Sequence, residues 1–234
     1  MNSSSKAEQF VNSVLGLAPK LAVFDCDGTL WSGDAGEGFF DWELNQGLVS
    51  DEIVRRARAR YAEYRAGKVS EDVMCGEMVT VHRGLSEAEV QRAASTYFER
   101  YCVPWIFPEM QRLVDLLRRA GSDVWAVSST NEWVIRAGMK HFGIPEQKIL
   151  AASARIVEGK ISDQVIRIPS GAGKPKAIQE VVQGAPDAAF GNSIWDADML
   201  ASARHPFVVN ATPELEGIAR QRRWPVYQPN SSGA

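Results

Sequence analysis

Leu21-Ala22-Val23-Phe24-Asp25-Cys26-Asp27-Gly28-Thr29-Leu30 runs from four apolar residues straight into two acids spaced by one. An unbroken apolar run that stops at a polar, glycine-bearing turn reads as a strand buried on both faces. Asp25 and Asp27 then lie on the same side of an extended chain, where their carboxylates repel unless a cation sits between them. Oxygen donors alone, from carboxylate and backbone carbonyl, suit a hard cation such as magnesium. Gly28 permits a tight turn and leaves backbone amides open to an anion. Asp27-Gly28 is also the ordinary signal of a turn after a strand, so the surroundings decide between the two readings.

Three further apolar runs, Val124 to Val127, Ala188 to Phe190 and Phe207 to Val209, share this character. Helical patterns separate them: Pro108 to Ala120 has an apolar face of Met110, Leu113, Val114 and Leu117, Glu132 to Phe142 is closed by Gly143 and Pro145, and another helix follows Thr212-Pro213-Glu214. Strand and helix in alternation predict a parallel sheet. From Trp31 to Val103 the alternation breaks into successive helices opened at Ser50, Ser70 and Ser86, the last in the capping-box pattern Ser86-Glu87-Ala88-Glu89. Their apolar positions, among them Tyr61, Tyr64, Val79, Val90, Tyr97 and Phe98, are expected to pack helix against helix. A strand and hairpin turning at Glu158-Gly159 are expected between Ile149 and Ile168, and Asn230 to Ala234 reads as a frayed tail.

Composition narrows the function classes. The 234 residues are 45% hydrophobic and 24% charged, with a net charge of -3, which describes a globular chain and gives nucleic acid no basic stripe to follow. Arg55, Arg56, Arg58 and Arg60 alternate along one helix as a solvated face does. Cys26, Cys75 and Cys102 form neither a disulfide framework nor a zinc pattern, no run is long enough to span a bilayer, and the N-terminus has no apolar signal core. A cytoplasmic protein with no nucleic-acid or membrane partner is expected, its oligomeric state left open.

With these elements in place, Phe24-Asp25-Cys26-Asp27-Gly28-Thr29-Leu30 resembles the first motif of the haloacid dehalogenase superfamily, Asp-x-Asp-x-Thr, and three further elements follow in that family's order. Val127-Ser128-Ser129-Thr130 resembles the second motif, Lys174 within Ser170-Gly171-Ala172-Gly173-Lys174-Pro175-Lys176 the third, and Gly191-Asn192-Ser193-Ile194-Trp195-Asp196 the acidic fourth. The likeness spans about Leu21 to Leu215 and is closest to the phosphoserine phosphatase-like branch, which inserts a helical cap between the first two motifs. It implies an α/β fold: a Rossmann-like parallel core of residues 18–31 and 104–229, a helical cap of 32–103, and an N-terminal extension of 1–17.

The resemblance implies a magnesium-dependent phosphatase of a small phosphorylated substrate. Asp25 would be the nucleophile that forms an aspartyl-phosphate, and Asp27 the acid and base. Ser128 and the amide of Ser129 would hold phosphoryl oxygens beside Gly28 and Thr29. Lys174 would balance charge, with Lys176 as its competitor. Magnesium would be held by Asp25, the carbonyl of Asp27, Asn192 and Asp196, with Asp198 as a substitute for the last. Asn192 departs from the family, which has an aspartate there, and the lost charge predicts weaker metal binding. A catalytically weakened, phosphate-binding relative is the competing reading, and Trp195 stands where the branch is often polar. For specificity, Glu37 or Asp34 could receive an ammonium group of phosphoserine or phosphoethanolamine, or one of them could cap the helix of Phe39, Phe40 and Trp42. Those aromatics with Trp31 form either core or a wall against phosphocholine. A carboxylate on the substrate would need a cation such as Arg55, Arg56 or Arg58.

Overall fold

The computed structural model of the protein describes residues 5–229. In chain order the elements are α1 (Lys6–Leu15), β1 (Leu21–Phe24), α2 (Ala35–Leu44), α3 (Asp51–Arg65), α4 (Glu71–Thr80), α5 (Glu87–Tyr97), α6 (Pro108–Arg119), β2 (Asp123–Asn131), α7 (Glu132–Met139), β3 (Ile149–Val157), β4 (Lys160–Arg167), α8 (Gly173–Val181), β5 (Ala188–Gly191), α9 (Ala197–Ser202), β6 (His205–Val209), α10 (Pro213–Arg222) and β7 (Val226–Tyr227). The strands form one seven-stranded sheet in the order β4-β3-β2-β1-β5-β6-β7. All neighbours are parallel except the hairpin of β3 and β4, which turns at Glu158 and Gly159. The expected α/β architecture is therefore present, with β4 as an antiparallel edge and β7 too short to stand out in sequence. The tail from Asn230 to Ala234 lies outside the described residues.

The pleat of β1 explains its unbroken apolar run. Ala22 and Phe24 face a core shared with Val11 and Val14 of α1, Met110, Leu113, Val114 and Leu117 of α6, and Val134 of α7. Leu21 and Val23 face the opposite layer, with Ile178 of α8, Met199 of α9 and Leu215 of α10. Both faces are covered, so the strand carries no polar residue until it ends at Asp25. β1 lies between β2 and β5, and the loops at its end, at the end of β2 and after β5 converge on one edge of the sheet.

Helices α2 to α5 occupy the stretch between β1 and β2. Phe40, Leu44, Val49 and Met74 make a small core of their own, with Ala57, Tyr61, Tyr64 and Met78 packed on it. Val79, Val90, Ala94, Tyr97 and Phe98 instead join the main core, where Phe98 meets the ring of Trp31 edge-on at 5.0 Å. Trp31, Phe39 and Phe40 are buried, which settles them as core. Ser50 caps α3 by accepting the amide of Ile53, whereas Ser70 and Ser86 make no side-chain cap bond, so the capping-box pattern at Ser86 marks the helix start without forming the box. The arginine-rich α3 buries no residue fully; Arg60 pairs with Glu77 at 2.6 Å and Arg58 reaches Asn45.

One polar pair is sealed inside this packing. His82 Nε2 lies 2.5 Å from Glu43 Oε2, with the imidazole edge-on to Trp133 at 5.1 Å, and both side chains are buried. Burial works against a charged His82, but the Glu43 carboxylate outweighs it and holds the imidazole above its usual range, while at Glu43 burial outweighs His82 and pushes the carboxyl up. Because the folded value of His82 exceeds the unfolded one, this contribution is fully present below about pH 6.5 and is lost as pH rises through the folded value. Glu43→Ala is expected to lower unfolding free energy by about 3–5 kcal/mol, from the broken pair and the cavity. Glu43→Gln should cost less and flatten the loss of stability above neutrality, as read by urea denaturation across pH.

Candidate active site

Asp25 is the first residue past β1, where its amide donates to the carbonyl of Phe190 at 2.8 Å. Only 6% exposed, its carboxylate is held on both oxygens: Thr29 Oγ1 donates to Oδ2 at 2.8 Å and Lys174 Nζ to Oδ1 at 2.6 Å. Lys174 comes from the first turn of α8 and is itself buried, donating also to Asp196 Oδ1 at 2.6 Å and to the carbonyl of Val127 at 3.2 Å. It is thus Lys174 that enters the site, while Lys176 is exposed. Burial, and then Asp196, push the Asp25 carboxyl up, Lys174 and Thr29 pull it back, and it comes to about 6. Burial pushes the Lys174 ammonium down, but Asp196 and Asp25 outweigh this and hold it well above the usual lysine range.

Asp27 has three donors. Trp31 Nε1 at 2.8 Å and the Ala35 amide at 2.6 Å donate to Oδ1, and Thr130 Oγ1 donates to Oδ2 at 2.7 Å. Burial and Asp34 push its carboxyl up, against the bonds from Ala35 and Thr130, to about 7. A carboxyl poised near neutrality suits a group that must give and take a proton. Cys26, between the two acids, is fully buried, and burial and both neighbours push its thiol far up, so it packs and does not react. Ser128 is buried and accepts the amide of Thr130 at 3.1 Å, while Ser129 is half-buried and lines an adjoining cleft.

Gly28 has φ +72°, and a Cβ there would fall 1.9 Å from Asn192 Nδ2. The Asn192 side chain therefore lies directly on the loop that carries Asp25 and the carbonyl of Asp27. Asp196, expected among the metal ligands, has both oxygens in hydrogen bonds: Oδ1 from Lys174, and Oδ2 from the amides of Asn192 at 2.9 Å and Ser193 at 3.0 Å. Asp198 is exposed, and Trp195 is exposed beside Gly171. Among the described residues no group of three or more His, Cys, Asp or Glu side chains is arranged to hold a metal. The Asn192 atom nearest Gly28 is Nδ2, not Oδ1; by chemistry the Asp25 carboxylate, the Asp27 carbonyl and the Asn192 amide are oxygen donors that fit a hard divalent cation, with one formal charge fewer than two acids would give.

The cleft of about 160 Å³ beside Ser129, Thr130 and Asn131 is walled by Asp34, Glu37, Tyr61, Tyr64, Arg65 and Glu71. Asp34 caps α2 by accepting the amide of Glu37 at 2.8 Å, so it is at once the helix cap and part of the wall. Arg55, Arg56 and Arg58 do not line this cleft; Arg56 lines a separate one with Arg60 and Arg83, and the base that enters is Arg65, 3.9 Å from Glu37. Sequence reasoning missed Thr130, Glu71 and Arg65. For Thr130 the signal existed, since it lies two residues past Ser128 and so on the same side of β2.

The profile of the haloacid dehalogenase-like hydrolases matches residues 22–201, which take in all four motifs. The chain belongs to that family. Among relatives of this hydrolase, a histidinol-phosphatase of Neisseria meningitidis serogroup C (strain 8013) is 26% identical over 88% of this chain and 97% of that protein. A protein of unknown function from Bordetella pertussis Tohama I superposes with a TM-score of 0.79 at 21% identity, over 88% of this chain and 97% of the other. A phosphoserine phosphohydrolase-like protein from Francisella tularensis subsp. tularensis SCHU S4 superposes at 0.60 and 16% identity, over 88% and 94%. The hydrolase thus shares its fold with phosphoserine phosphatase-like structures.

Proposed function

We propose that this hydrolase is a magnesium-dependent phosphomonoesterase working through an aspartyl-phosphate on Asp25. The observation that carries the reading is the buried Asp25, held by Thr29 and Lys174, with the Asp27 carboxyl raised toward neutrality two residues on. Asp25 attacks phosphorus and the ester bond breaks, its electron pair leaving with the alcohol oxygen, which takes the proton of Asp27. A water then gives a proton to Asp27 as it attacks the same phosphorus, and Asp25 is released as carboxylate. Ser128 and the amide of Ser129 hold phosphoryl oxygens, and Lys174 offsets the charge of phosphate and nucleophile while Asp196 fixes the lysine. Asp25, the carbonyl of Asp27 and the amide of Asn192 would hold magnesium, which when bound neutralises phosphoryl charge. The three cysteines are free, in keeping with a reducing, cytoplasmic setting. Among the described residues no helix is long and apolar enough to cross a membrane. The helical block of 32–103 is read as a cap that encloses the small substrate.

The cleft favours an amino-alcohol phosphate over phosphoserine. Asp34, Glu37 and Glu71 offer three carboxylates to an ammonium, Tyr61 and Tyr64 add aromatic walls, and the one base, Arg65, leans toward Glu37. The Neisseria relative's name, histidinol-phosphatase, is consistent with this, histidinol being an amino alcohol. The test is a panel of phosphoethanolamine, phosphocholine, histidinol phosphate and phosphoserine, with magnesium and with chelator. Turnover that persists in chelator rejects the metal-dependent mechanism, and a preference for phosphoserine rejects the assignment of the cleft.

Asn192 favours a second reading, a phosphate-binding relative with weakened catalysis. Asn192→Asp is expected to tighten magnesium by about 10-fold, through the restored charge, seen as a lower half-saturating magnesium concentration without a change of preferred ester. A wild type inert across the panel beside an active Asn192→Asp supports the weakened relative instead.

A further inference from the structure

We infer that Thr130 is the positioning residue of the acid and base, fixing Oδ2 of Asp27 as the oxygen that gives and takes the proton. The inference rests on the role proposed for Asp27 and goes beyond it by naming the atom and the group that governs it.

The two oxygens of Asp27 have unlike partners. Oδ1 receives the indole N–H of Trp31 and the backbone N–H of Ala35, at 2.8 and 2.6 Å. Neither nitrogen can accept a hydrogen bond, so a proton on Oδ1 would point at donors. Among the described residues, the hydrogen-bond partner of Oδ2 is the Thr130 hydroxyl, at 2.7 Å. A hydroxyl donates to a carboxylate and, after turning about its Cβ–Oγ bond, accepts from a carboxylic acid. Among the described partners of Asp27, Thr130 is therefore the one that serves it in both states.

Its surroundings hold the hydroxyl there. A Cβ at Gly36 would lie 2.5 Å from Thr130 Oγ1, so glycine in the first turn of α2 leaves the hydroxyl its space. The Thr130 amide donates to Ser128 Oγ at 3.1 Å, tying the acid and base to the serine proposed to hold phosphate. Thr130 also lines the cleft proposed for substrate, with Ser129 and Asn131, so the residue that holds Oδ2 is a wall of that cleft. With Ala35 supplied by α2 and Thr130 by β2, the carboxyl is gripped from the helical block and the sheet together. In the first step the Oδ2–H turns from the Thr130 oxygen to the leaving oxygen and passes its proton there, and the Thr130 hydroxyl turns from accepting to donating. In the second, Oδ2 takes the proton of water and the hydroxyl turns back.

The test compares Thr130→Val, Thr130→Ser and Asp27→Asn in single-turnover phosphoryl transfer with millimolar magnesium, on phenyl phosphate and p-nitrophenyl phosphate. The first releases a basic phenolate that needs a proton, and the second a leaving group that barely does. Thr130→Val is expected to lose about 10-fold or more on phenyl phosphate while staying within about 3-fold of wild type on p-nitrophenyl phosphate, with Thr130→Ser restoring most of the loss. Equal losses on both esters would mean that Thr130 only supports the fold, and overturn the inference. So would an unaffected Thr130→Val beside an inactive Asp27→Asn. A fully active Asp27→Asn removes the proposed role of Asp27 itself, and the inference with it.

Discussion

Asp25→Asn is expected to lower turnover of the preferred phosphomonoester by about 10⁴-fold or more while leaving the protein folded. Asparagine keeps the shape of aspartate: its amide oxygen can accept from Lys174 and its NH2 can donate to Thr29 Oγ1, so the two contacts at 2.6 and 2.8 Å survive in kind. What disappears is the nucleophilic oxygen, for which no other group in the site substitutes, since Asp27 is tied to three donors and Cys26 is sealed and protonated. Stability should move the other way. Two buried carboxylates face one buried ammonium, and burial with Asp196 raises Asp25 to about 6. Without metal the folded chain keeps a proton that the unfolded chain has released above about pH 4. Wild type therefore loses the Asp25 contribution as pH rises from about 4 to 6, whereas Asp25→Asn keeps only the loss that Asp27 causes in both proteins. At pH 7 in chelator the variant is expected to be more stable by on the order of 1–3 kcal/mol, the difference fading below about pH 4, as urea denaturation would read.

Lys174→Met should damage the fold and turnover together. The lysine is 2% exposed and bonds Asp25, Asp196 and the Val127 carbonyl, joining the ends of β1 and β2 to the loop after β5. Methionine fills the space but leaves two buried carboxylates facing each other without a cation. A loss of about 3–5 kcal/mol follows from the uncompensated charge, with turnover down by about 10²-fold or more from the missing stabilisation of phosphoryl charge. Asp25, already raised by burial, then loses the ammonium that pulls its carboxyl down, so the destabilisation should shrink as pH falls and Asp25 is protonated. Adding Asp25→Asn should recover part of the loss, a non-additivity that double-mutant denaturation measures.

The fold was readable because β1 has both faces covered. Its apolar run could end only where the layers end, and that is where Asp25 stands. The motif order carried the rest, since Ser128, inside β2, and Lys174, in the first turn of α8, lie in sequences that could be recognised locally. Long-range partners were the part that no window could show. Glu43 meets His82 across 39 positions, and Thr130 meets Asp27 across 103. Asp196 is expected as a ligand from its place in the fourth motif, and the direction of its two oxygens depends on Lys174 from α8 and on amides of its own loop. The cleft was half legible: Asp34 and Glu37 sit close after the first motif, whereas Glu71 and Arg65 join them only when α3 and α4 fold back over Ser129.

The central claim, that Asp25 carries the phosphoryl group, is tested most directly by rapid acid quench of the enzyme mixed with its preferred ester and magnesium, followed by mass spectrometry of the peptides. The account predicts one phosphoryl group on the peptide that contains Asp25, labile to hydroxylamine and absent from Asp25→Asn. A phosphoryl group on another residue, or steady turnover by Asp25→Asn, would contradict it.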